Sequence, residues 1–371
     1  MTAASKRKPL PGQVVLVLQG GGALGAYQAG VYQAMHESGI EPDWVIGTSI
    51  GAINAALIAG NPPGQRLDRL RKFWKFSDGP APAVGPLAWL GMDSSLAMMN
   101  TVMRGIPNFF EPNPAALFGT HADVGVEAAS YYSMAPLRES LTSLIGSGQL
   151  GQCSTRLTVG AVNARSGEMR YFDSRHETLS TDHVLASGAL PPAFPAVRIE
   201  GEPYWDGGIY SNTPIEAVFD DHPRRDSLIF AVDVWQPDGP EPQSIWQVMG
   251  RQKDIQYASR TQSHLARQEQ IQRLRRVIRE MEKHVPAGQR SDPEVRELAT
   301  YGCGATMHVL RLLAPRLEGE SQAKDIDFTV AGVRTRWQAG YKDTLAMIER
   351  APWEAPVDLI AGVVEHLGAK R

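Results

Sequence analysis

Ser49 stands in a sequence that is typical of a catalytic serine. Residues 44–48 are an apolar run of strand formers that ends in Gly-Thr-Ser-Ile-Gly, and an alanine-rich segment that favours helix follows at once. Gly47 and Gly51, two positions before and after the serine, allow the sharp strand-to-helix turn that lifts a hydroxyl clear of the backbone. The following helix also directs free N–H groups at this point. We therefore predict that Ser49 is a nucleophile.

The same pattern has a simpler interpretation. Small residues can merely close a strand against a helix, and a lone Gly-x-Ser-x-Gly pattern occurs often by chance. The hypothesis for Ser49 therefore needs support from other stretches of the chain, and two stretches provide it.

A glycine-rich loop follows the first predicted strand, at residues 14–18. Successive glycines expose backbone N–H groups that no side chain covers, beside the turn that carries Ser49. Its small residues are Gly20, Gly21, Gly22, Ala23 and Gly25. We predict an oxyanion hole whose donors are the amides of Gly20, Gly21, Gly22 and Ala23.

The glycine loop also matches the dinucleotide-binding fingerprint Gly-x-Gly-x-x-Gly. In such a site, an acidic residue at the end of the second strand binds the ribose. Here Glu41 and Asp43 precede the second predicted strand, and the end of that strand carries Ser49. The loop therefore favours an oxyanion hole over a nucleotide site.

Asp206 is the candidate base. It follows Tyr204 and Trp205 and precedes Gly207 and Gly208, so a carboxylate stands at a sharp bend beside open backbone. Burial by the two aromatic side chains would raise its pKa from the unperturbed value near ~3.9 and help it to take the serine proton at neutral pH. A plain Asp-Gly turn is the alternative interpretation.

The elements that must position these residues predict an α/β fold. Strands at 14–18 and 44–48 with a helix at 26–38 between them make a parallel pair. Further elements are expected as a short helix at 66–76, a hairpin at 156–163 and 168–173, a brief helix at 182–187 and a nearly continuous apolar strand at 228–235.

Composition indicates a globular protein. The chain has 371 residues, 43% hydrophobic and 21% charged, with a net charge of -3, which allows a large core and gives no electrostatic reason to expect nucleic acid. No apolar run is long enough to span a membrane, so any membrane contact is expected to be peripheral. Cys153 and Cys303 lie far apart, and we expect reduced thiols in a cytoplasmic protein without a metal or cofactor.

An irregular apolar insertion, broken by prolines, is expected at residues 76–135. Its methionines and aromatic residues suit a cap over flexible acyl chains. An ordinary satellite core under a long loop explains them equally well. The apolar members are Trp89, Leu90, Met92, Leu96, Met98, Met99, Met103, Ile106, Phe109, Phe110, Leu117 and Phe118.

The last third of the chain, residues 240–371, is expected to be a mainly helical extension packed on the same core. Its predicted elements are helices at 244–284, 293–299, 328–350 and 356–367 and an added strand at 308–313. Glutamates flank a basic stretch on the long helix, which favours a solvated, salt-bridged face over a docking site for anionic lipid. The basic residues are Arg273, Arg275, Arg276 and Arg279.

Three stretches together resemble the patatin-like phospholipase family. They are the glycine loop, the turn around Ser49 and the segment that begins at Asp206. Ser187, leading into the stiff loop at 191–195, and Asn212 with its following proline resemble the family too. The resemblance covers residues 12–235, the expected catalytic domain. Segments at 327–328 and 336–341 look like the helical extension of some bacterial patatin-like proteins.

The resemblance implies a three-layer α/β/α sandwich and a lipid acyl hydrolase with a Ser-Asp dyad and no histidine. Ser49 would be the nucleophile and Asp206 the base, with the amides around Gly21 and Gly22 as the oxyanion hole. The substrate would be a lipid or another acyl ester. Glycines that support the motifs are Gly25, Gly47, Gly51, Gly207 and Gly208.

Leu24 departs from the family pattern. Many members have arginine or lysine at this place in the glycine loop, where a cation would favour a phosphate or the developing oxyanion. The absence of that cation weakens the case for a phospholipid in particular and favours a neutral ester as the substrate.

Other functions remain open at this stage. A Ser-His-Asp hydrolase needs a histidine after the acid, but no histidine after Asp206 has a distinctive turn; the candidates are His222, His264, His284, His308 and His366. An acyltransferase would use the same dyad. A catalytically idle protein of this fold would sit on membranes or lipid granules. The oligomeric state is not predicted.

Overall fold

The structure is a computed structural model that describes residues 9–75, 104–106, 108–145, 150, 154–317, 320, 323–358 and 360–368, without the side chains of 259–261. Cys303 is a free thiol. Much of the expected apolar insertion lies outside the described residues, as does Cys153; the insertion residues concerned are Trp89, Leu90, Met92, Leu96, Met98, Met99 and Met103.

Strands and helices alternate through much of the described chain. The strands are β1 (Gln13–Leu18), β2 (Trp44–Thr48), β3 (Glu111–Pro112), β4 (Tyr132–Ser133), β5 (Arg156–Asn163), β6 (Met169–Asp173), β7 (Val197–Ile199), β8 (Glu202–Asp206), β9 (Ser227–Asp233), β10 (Met307–Leu313) and β11 (Val363–Leu367). The α-helices are α1 (Ala26–Glu37), α2 (Ile50–Ala59), α3 (Pro63–Phe73), α4 (Ala135–Leu144), α5 (Thr181–Ser187), α6 (Glu216–Phe219), α7 (Ile245–His284), α8 (Pro293–Ala299) and α9 (Val330–Arg350).

Nine of the described strands form one sheet in the order β11-β10-β9-β1-β2-β5-β8-β7, with β6 paired to β5. All pairs from β11 to β5 are parallel, whereas β6, β7 and β8 pair antiparallel. The carboxyl ends of the parallel strands therefore meet at one edge, which we call the carboxyl edge. Ligands bind at this edge in open α/β sheets.

The central strand β1 shows why both faces of the sheet are covered. Val14, Leu16 and Leu18 pack into a core with α1, α2 and α9. Val15 and Val17 pack into a second core with α6 and α7. Side chains alternate between the two faces of the sheet along a strand. Because every residue from Val14 to Leu18 is apolar, both faces of the sheet must be covered. The result is a three-layer α/β/α sandwich, as the resemblance implies.

Most of the expected elements are confirmed. β2 runs through Ser49 into α2, β5 and β6 form the hairpin, β9 lies next to β1, and β10 is the added strand. The expected helix at 356–367 is wrong, because Val363–Leu367 form β11, paired with β10 at the edge of the sheet. A short edge strand takes its partner from a distant segment, which the local sequence pattern does not show.

The basic stretch of α7 is salt-bridged in part. Arg279 pairs with Glu282 at 2.6 Å, and Lys283 pairs with Glu280 at 2.7 Å. Arg279 agrees with the interpretation of a solvated face, whereas Arg276 does not, because it donates to the Gly304 carbonyl oxygen and to Thr306 Oγ1. Among the described helices, α7 included, none is both long enough and apolar enough to cross a membrane.

The last third of the chain is built into the same core. β10 pairs with β9, so the sheet continues across the expected boundary near residues 235–240; the division into two domains stays a prediction. α9 packs on α1 with almost no space between the backbones. A Cβ on Gly340 would lie 2.0 Å from the Tyr27 carbonyl oxygen, and one on Gly30 would lie 1.9 Å from the Trp337 carbonyl oxygen.

We expect Gly340→Ala to lower the free energy of unfolding by about 2 kcal/mol or more, because the added methyl group forces α9 away from α1. Gly64→Ala on α3 is the matched control, since a Cβ there meets nothing within 4 Å, and it should change stability by no more than about 1 kcal/mol. Urea denaturation of both variants measures the difference. Equal stabilities would contradict the close helix contact.

Candidate active site

The backbone turns sharply at Ser49, between β2 and α2. Ser49 has φ 57° and ψ -127°, a left-handed conformation that is uncommon for a residue with a side chain. Close approaches on both sides hold it there. A Cβ on Gly47 would lie 2.2 Å from the Gly51 carbonyl oxygen, and a Cβ on Gly51 would lie 2.2 Å from the Leu18 carbonyl oxygen. Only glycine fits at either position.

Ser187, at the end of α5, fixes the turn from the other side. The Ser49 amide donates to the Ser187 carbonyl oxygen at 3.1 Å and to Ser187 Oγ at 3.0 Å. The Ser187 hydroxyl in turn donates to the Gly160 carbonyl oxygen on β5 at 2.6 Å. Three elements therefore meet at the turn. In the sequence, Ser187 appeared only as part of a resemblance, without a role.

The sheet register brings Asp206 to the level of Ser49. Thr48 on β2 pairs with Gly160 on β5, and Asp206 on β8 pairs with Ala161, the next residue of β5. Ser49 and Asp206 therefore lie level with each other on either side of β5. Asp206 is buried, with 2% of its surface exposed.

The environment of the Asp206 carboxyl shifts its pKa strongly. Burial raises the pKa of Asp206 to about 7, while hydrogen bonds from the Ser49 side chain and the Gly208 amide act in the opposite direction. The Gly208 amide donates to Asp206 Oδ1 at 2.7 Å. A carboxyl with this pKa is partly ionised at neutral pH, which suits a proton acceptor for the serine.

Some amides of the glycine loop are hydrogen-bonded within the fold, and others are free at the cavity. The Gly20 amide donates to the Asn212 carbonyl oxygen at 3.1 Å, so Gly20 is not available as the oxyanion donor that we expected. Ala23 is fully buried and is not among the residues that line the cavity. Gly21 and Gly22 do line it, and neither amide donates a hydrogen bond to another described residue. These two are the available donors.

The carbonyl group of Gly20 is held as firmly as its amide. It accepts from Trp235 Nε1 at 2.8 Å and from Asn212 Nδ2 at 3.2 Å. Trp235 follows β9 and Asn212 follows Asp206 in the chain, so the loop is fixed by two segments that are themselves part of the site.

Gln19, at the end of β1, links the segments of the carboxyl edge. Its side chain is fully buried. Gln19 Oε1 accepts from the amides of Val234 and Trp235, and Nε2 donates to Thr213 Oγ1 at 2.7 Å and to the Tyr257 carbonyl oxygen at 3.2 Å. Sequence reasoning missed Gln19, Trp235 and Tyr257. The position of the first two just beyond central strands was the signal that pointed to them.

A cavity of about 300 Å³ opens over Ser49 and Asp206. Its floor is polar and its walls are mostly apolar. The side chains of the walls are Ile50, Ile53, Phe109, Phe110, Tyr132, Met134, Leu137, Leu190, Ala193, Phe194, Trp235, Tyr257, Ile326 and Phe328. An apolar cavity with a few convergent polar groups is typical of a small-molecule site, and these walls suit an acyl chain.

Two distant parts of the chain contribute to the walls. Phe109 and Phe110 come from the described end of the expected insertion, and Tyr257 and Phe328 come from the last third of the chain. No histidine is found among the described residues that line the cavity. His308 and His366, two of the alternative bases, stack on each other with their ring centroids 5.3 Å apart.

Two family models match the chain. A family model described as patatin-like phospholipase matches residues 16–219, and a second, described as patatin phospholipase, matches residues 255–359. The chain belongs to the patatin-like phospholipase family.

Curated relatives of this patatin-like protein are distant. The lysophospholipase NTE1 of Yarrowia lipolytica is 22% identical over 317 residues, which are 82% of this chain and 19% of that protein. The cGAMP-activated phospholipase of Pseudomonas aeruginosa is 25% identical over 244 residues, 59% of this chain and 61% of that protein. The chain therefore spans less than two thirds of the length of either relative.

Among solved structures, VipD from Legionella pneumophila matches with a TM-score of 0.37 and 16% identity, over 92% of this chain and 67% of that chain. ExoU, in its complex with SpcU from Pseudomonas aeruginosa, matches with a TM-score of 0.35 and 16% identity, over 92% and 52% of the respective chains.

The raised pKa of Asp206 makes a prediction about stability. The folded protein holds a proton that the unfolded chain releases near its ordinary pKa of 3.8, so ionisation of Asp206 lowers the free energy of unfolding as pH rises towards about 7. Asp206→Asn removes this loss. Between pH 5 and pH 8, the variant should gain about 2 to 3 kcal/mol of stability relative to the unsubstituted protein.

Urea denaturation of both proteins at the two pH values measures the difference, and all other titrating groups cancel in the comparison. A parallel pH dependence for the two proteins would show that the pKa of Asp206 is ordinary.

Proposed function

We propose that the protein is a lipid acyl hydrolase that cleaves carboxylic esters through the dyad of Ser49 and Asp206. The observation that carries the proposal is that Ser49 and the buried carboxyl of Asp206 lie together on the floor of an apolar cavity. Membership in the patatin-like phospholipase family supports a lipid ester as the substrate class.

Acylation begins when Asp206 takes the proton of the Ser49 hydroxyl as Ser49 Oγ attacks the ester carbonyl carbon. The carbonyl oxygen becomes an oxyanion, and the free amides of Gly21 and Gly22 are the donors that stabilise it. The C–O bond of the ester then breaks, and Asp206 returns the proton to the alcohol that leaves. The acyl chain, now esterified to Ser49, lies along the apolar walls of the cavity.

Deacylation repeats the sequence with water. Asp206 takes a proton from the water as its oxygen attacks the acyl-enzyme carbonyl, and the same amides receive the negative charge. The bond to Ser49 Oγ breaks, Ser49 regains a proton from Asp206, and a fatty acid is released. An alcohol in place of this water would give an acyltransferase with the same residues.

Ser49→Ala should abolish turnover of p-nitrophenyl butyrate and of lysophosphatidylcholine, by at least about 10³-fold in kcat/KM, because no other group forms the acyl-enzyme. It should also abolish labelling by a fluorophosphonate probe. For the unsubstituted protein, kcat/KM should rise with pH and level off above about 7, since Asp206 accepts the proton only when it is ionised.

Ser143→Ala, at an exposed serine on α4, is the matched control and should retain full activity. Hydrolysis by purified Ser49→Ala protein would overturn the dyad. An unsubstituted protein that neither reacts with the probe nor hydrolyses lysophospholipids, triacylglycerols or polyester oligomers would be the idle lipid-binding protein instead.

We also propose a peripheral contact with the lipid surface that holds the substrate. The first turn of α7 is exposed and apolar: Ile245, Trp246, Val248 and Met249 are 80%, 61%, 52% and 49% exposed. We call these four residues the α7 tip. Apolar side chains with an exposed tryptophan are typical of segments that enter the headgroup region of a bilayer.

The course of α7 puts the α7 tip on the side of the cavity. The Tyr257 carbonyl oxygen accepts from Gln19 and Asn212 at the carboxyl edge of the sheet, whereas Arg276 donates to Thr306, next to the start of β10 at the opposite edge. The residues before Tyr257 therefore extend beyond the carboxyl edge. At a rise of about 1.5 Å per residue, Trp246 projects roughly 16 Å past Tyr257.

Trp246→Ser combined with Met249→Ser should reduce binding to phosphatidylcholine vesicles and turnover of vesicle-borne lysophosphatidylcholine by at least about tenfold, because burial of these side chains in the bilayer is lost. Turnover of p-nitrophenyl butyrate, a soluble ester, should stay within about twofold. Vesicle flotation and parallel kinetic assays measure the two effects.

The same helix offers the matched control. Leu274 and Met281 are 59% and 65% exposed towards the far end of α7, and Leu274→Ser with Met281→Ser should leave vesicle binding unchanged. Equal losses in both double variants would show that the α7 tip has no special role. A change of oligomeric state in the tip variant alone would assign the tip to contact between copies of the chain.

A further inference from the structure

Two ion pairs cross between α7 and the 3-10 helix Lys324–Ile326. Lys253 on α7 pairs with Asp325 at 3.0 Å, and its neighbour Asp254 pairs with Lys324 at 2.6 Å. Each element therefore contributes a lysine followed by an aspartate, and each lysine pairs with the aspartate of the other element. We call these contacts the crossed ion pairs: the outer pair, Lys253 with Asp325, is partly exposed, and the inner pair, Asp254 with Lys324, is almost fully buried.

The 3-10 helix that these pairs hold lies directly against the glycine loop. The Asp325 carbonyl oxygen approaches Gly22 so closely that a Cβ there would lie 2.2 Å from it. Gly22 has φ +54°, so its conformation also favours glycine. Asp325 and Ile326 line the cavity beside Gly21 and Gly22. Any displacement of the 3-10 helix therefore moves the wall that supports the two free amides.

The inner pair reaches the glycine loop by a second route. Lys324 Nζ lies 5.3 Å from the ring centroid of Trp235, a cation–π contact. Trp235 Nε1 donates to the Gly20 carbonyl oxygen at 2.8 Å. Lys324 is thus linked to the loop on one side through Trp235 and on the other through the backbone of Asp325.

Stability alone does not explain a buried pair of this kind. Removing two charges from water costs several kcal/mol per ion, roughly as much as their attraction returns, and apolar residues of similar volume often stabilise a protein equally well or better. The distinct property of a buried ion pair is its defined geometry. A fixed geometry is useful where the 3-10 helix meets the glycine loop.

We propose that the crossed ion pairs position the glycine loop for catalysis, so that the amides of Gly21 and Gly22 face the reacting carbonyl oxygen. Asp254 and Lys324 are positioning residues that act through the 3-10 helix and Trp235. The last third of the chain then belongs to the catalytic apparatus. The catalytic half of this inference rests on the proposed hydrolase function, whereas the effect on the loop does not.

The decisive variant replaces both members of the inner pair by apolar residues, Asp254→Leu with Lys324→Met. The exposed part of Arg316, which contacts Asp254 at 3.2 Å, can then turn to solvent. We expect the melting temperature to stay close to that of the unsubstituted protein, while kcat for p-nitrophenyl butyrate falls at least about tenfold and KM changes less than about threefold. Unchanged kcat in the folded double variant would overturn the proposal.

Hydrogen exchange gives a readout that does not depend on activity. In the double variant, the hydrogen-bonded amides of Gln19, Gly20 and Leu24 should exchange at least about tenfold faster, while peptides from β9 keep their protection. Unchanged exchange in the loop would contradict positioning. If the loop exchanges faster but the unsubstituted protein hydrolyses no ester, the proposed function fails and the positioning of the loop stands.

The outer pair provides a second test should the inner double variant not fold. Lys253→Asp and Asp325→Lys should each lower kcat and loosen the loop, and the two together should restore both, because the exchanged charges attract again. The matched control is the exposed pair farther along α7, Glu280→Ala with Lys283→Ala, which should leave kcat and exchange unchanged. Lack of recovery in the charge-exchanged double variant would overturn the proposal.

Discussion

Asp206 is a carboxyl group that the fold removes from water, and no cation among the described residues contributes to its pKa. Burial of this kind opposes ionisation of the carboxyl group. The neighbouring strands hold the group in its buried position. β8 must run antiparallel to β5, and β2 must end one residue short of the same level. The geometry of the sheet thus sets the chemistry of the carboxyl.

Close backbone contacts and hydrogen bonds also fix the positions of the other segments at the carboxyl edge. Gly51 lies against β1, Ser187 ties the serine turn to β5, and Gln19 joins β1 to β9 and α7. The cavity is therefore assembled from segments of the whole described chain rather than from one compact motif. The backbone groups of Gly20 and the Ser49 amide already have partners within the fold, and these hydrogen bonds hold the turn and the loop in place.

The sequence predicted those parts of the site that carry local patterns. The turn at Ser49, the glycine loop and the bend at Asp206 each combine glycines with a reactive or amide-rich segment, and the structure brings them to one cavity. It did not predict that the Gly20 amide is occupied by Asn212, or that Tyr257 lies at the cavity. Such contacts join segments far apart in the chain, and so does the pairing that makes β11 a strand.

The position of β1 in the sheet has a consequence for how the chain is made. β1 precedes the other described strands in the chain, yet one of its two strand partners is β9, which follows roughly 200 residues later. At about 5 to 20 residues per second, the ribosome needs about 10 to 40 s to deliver that partner. During this time that edge of β1 is unpaired, which favours aggregation of the nascent chain until β9 is available.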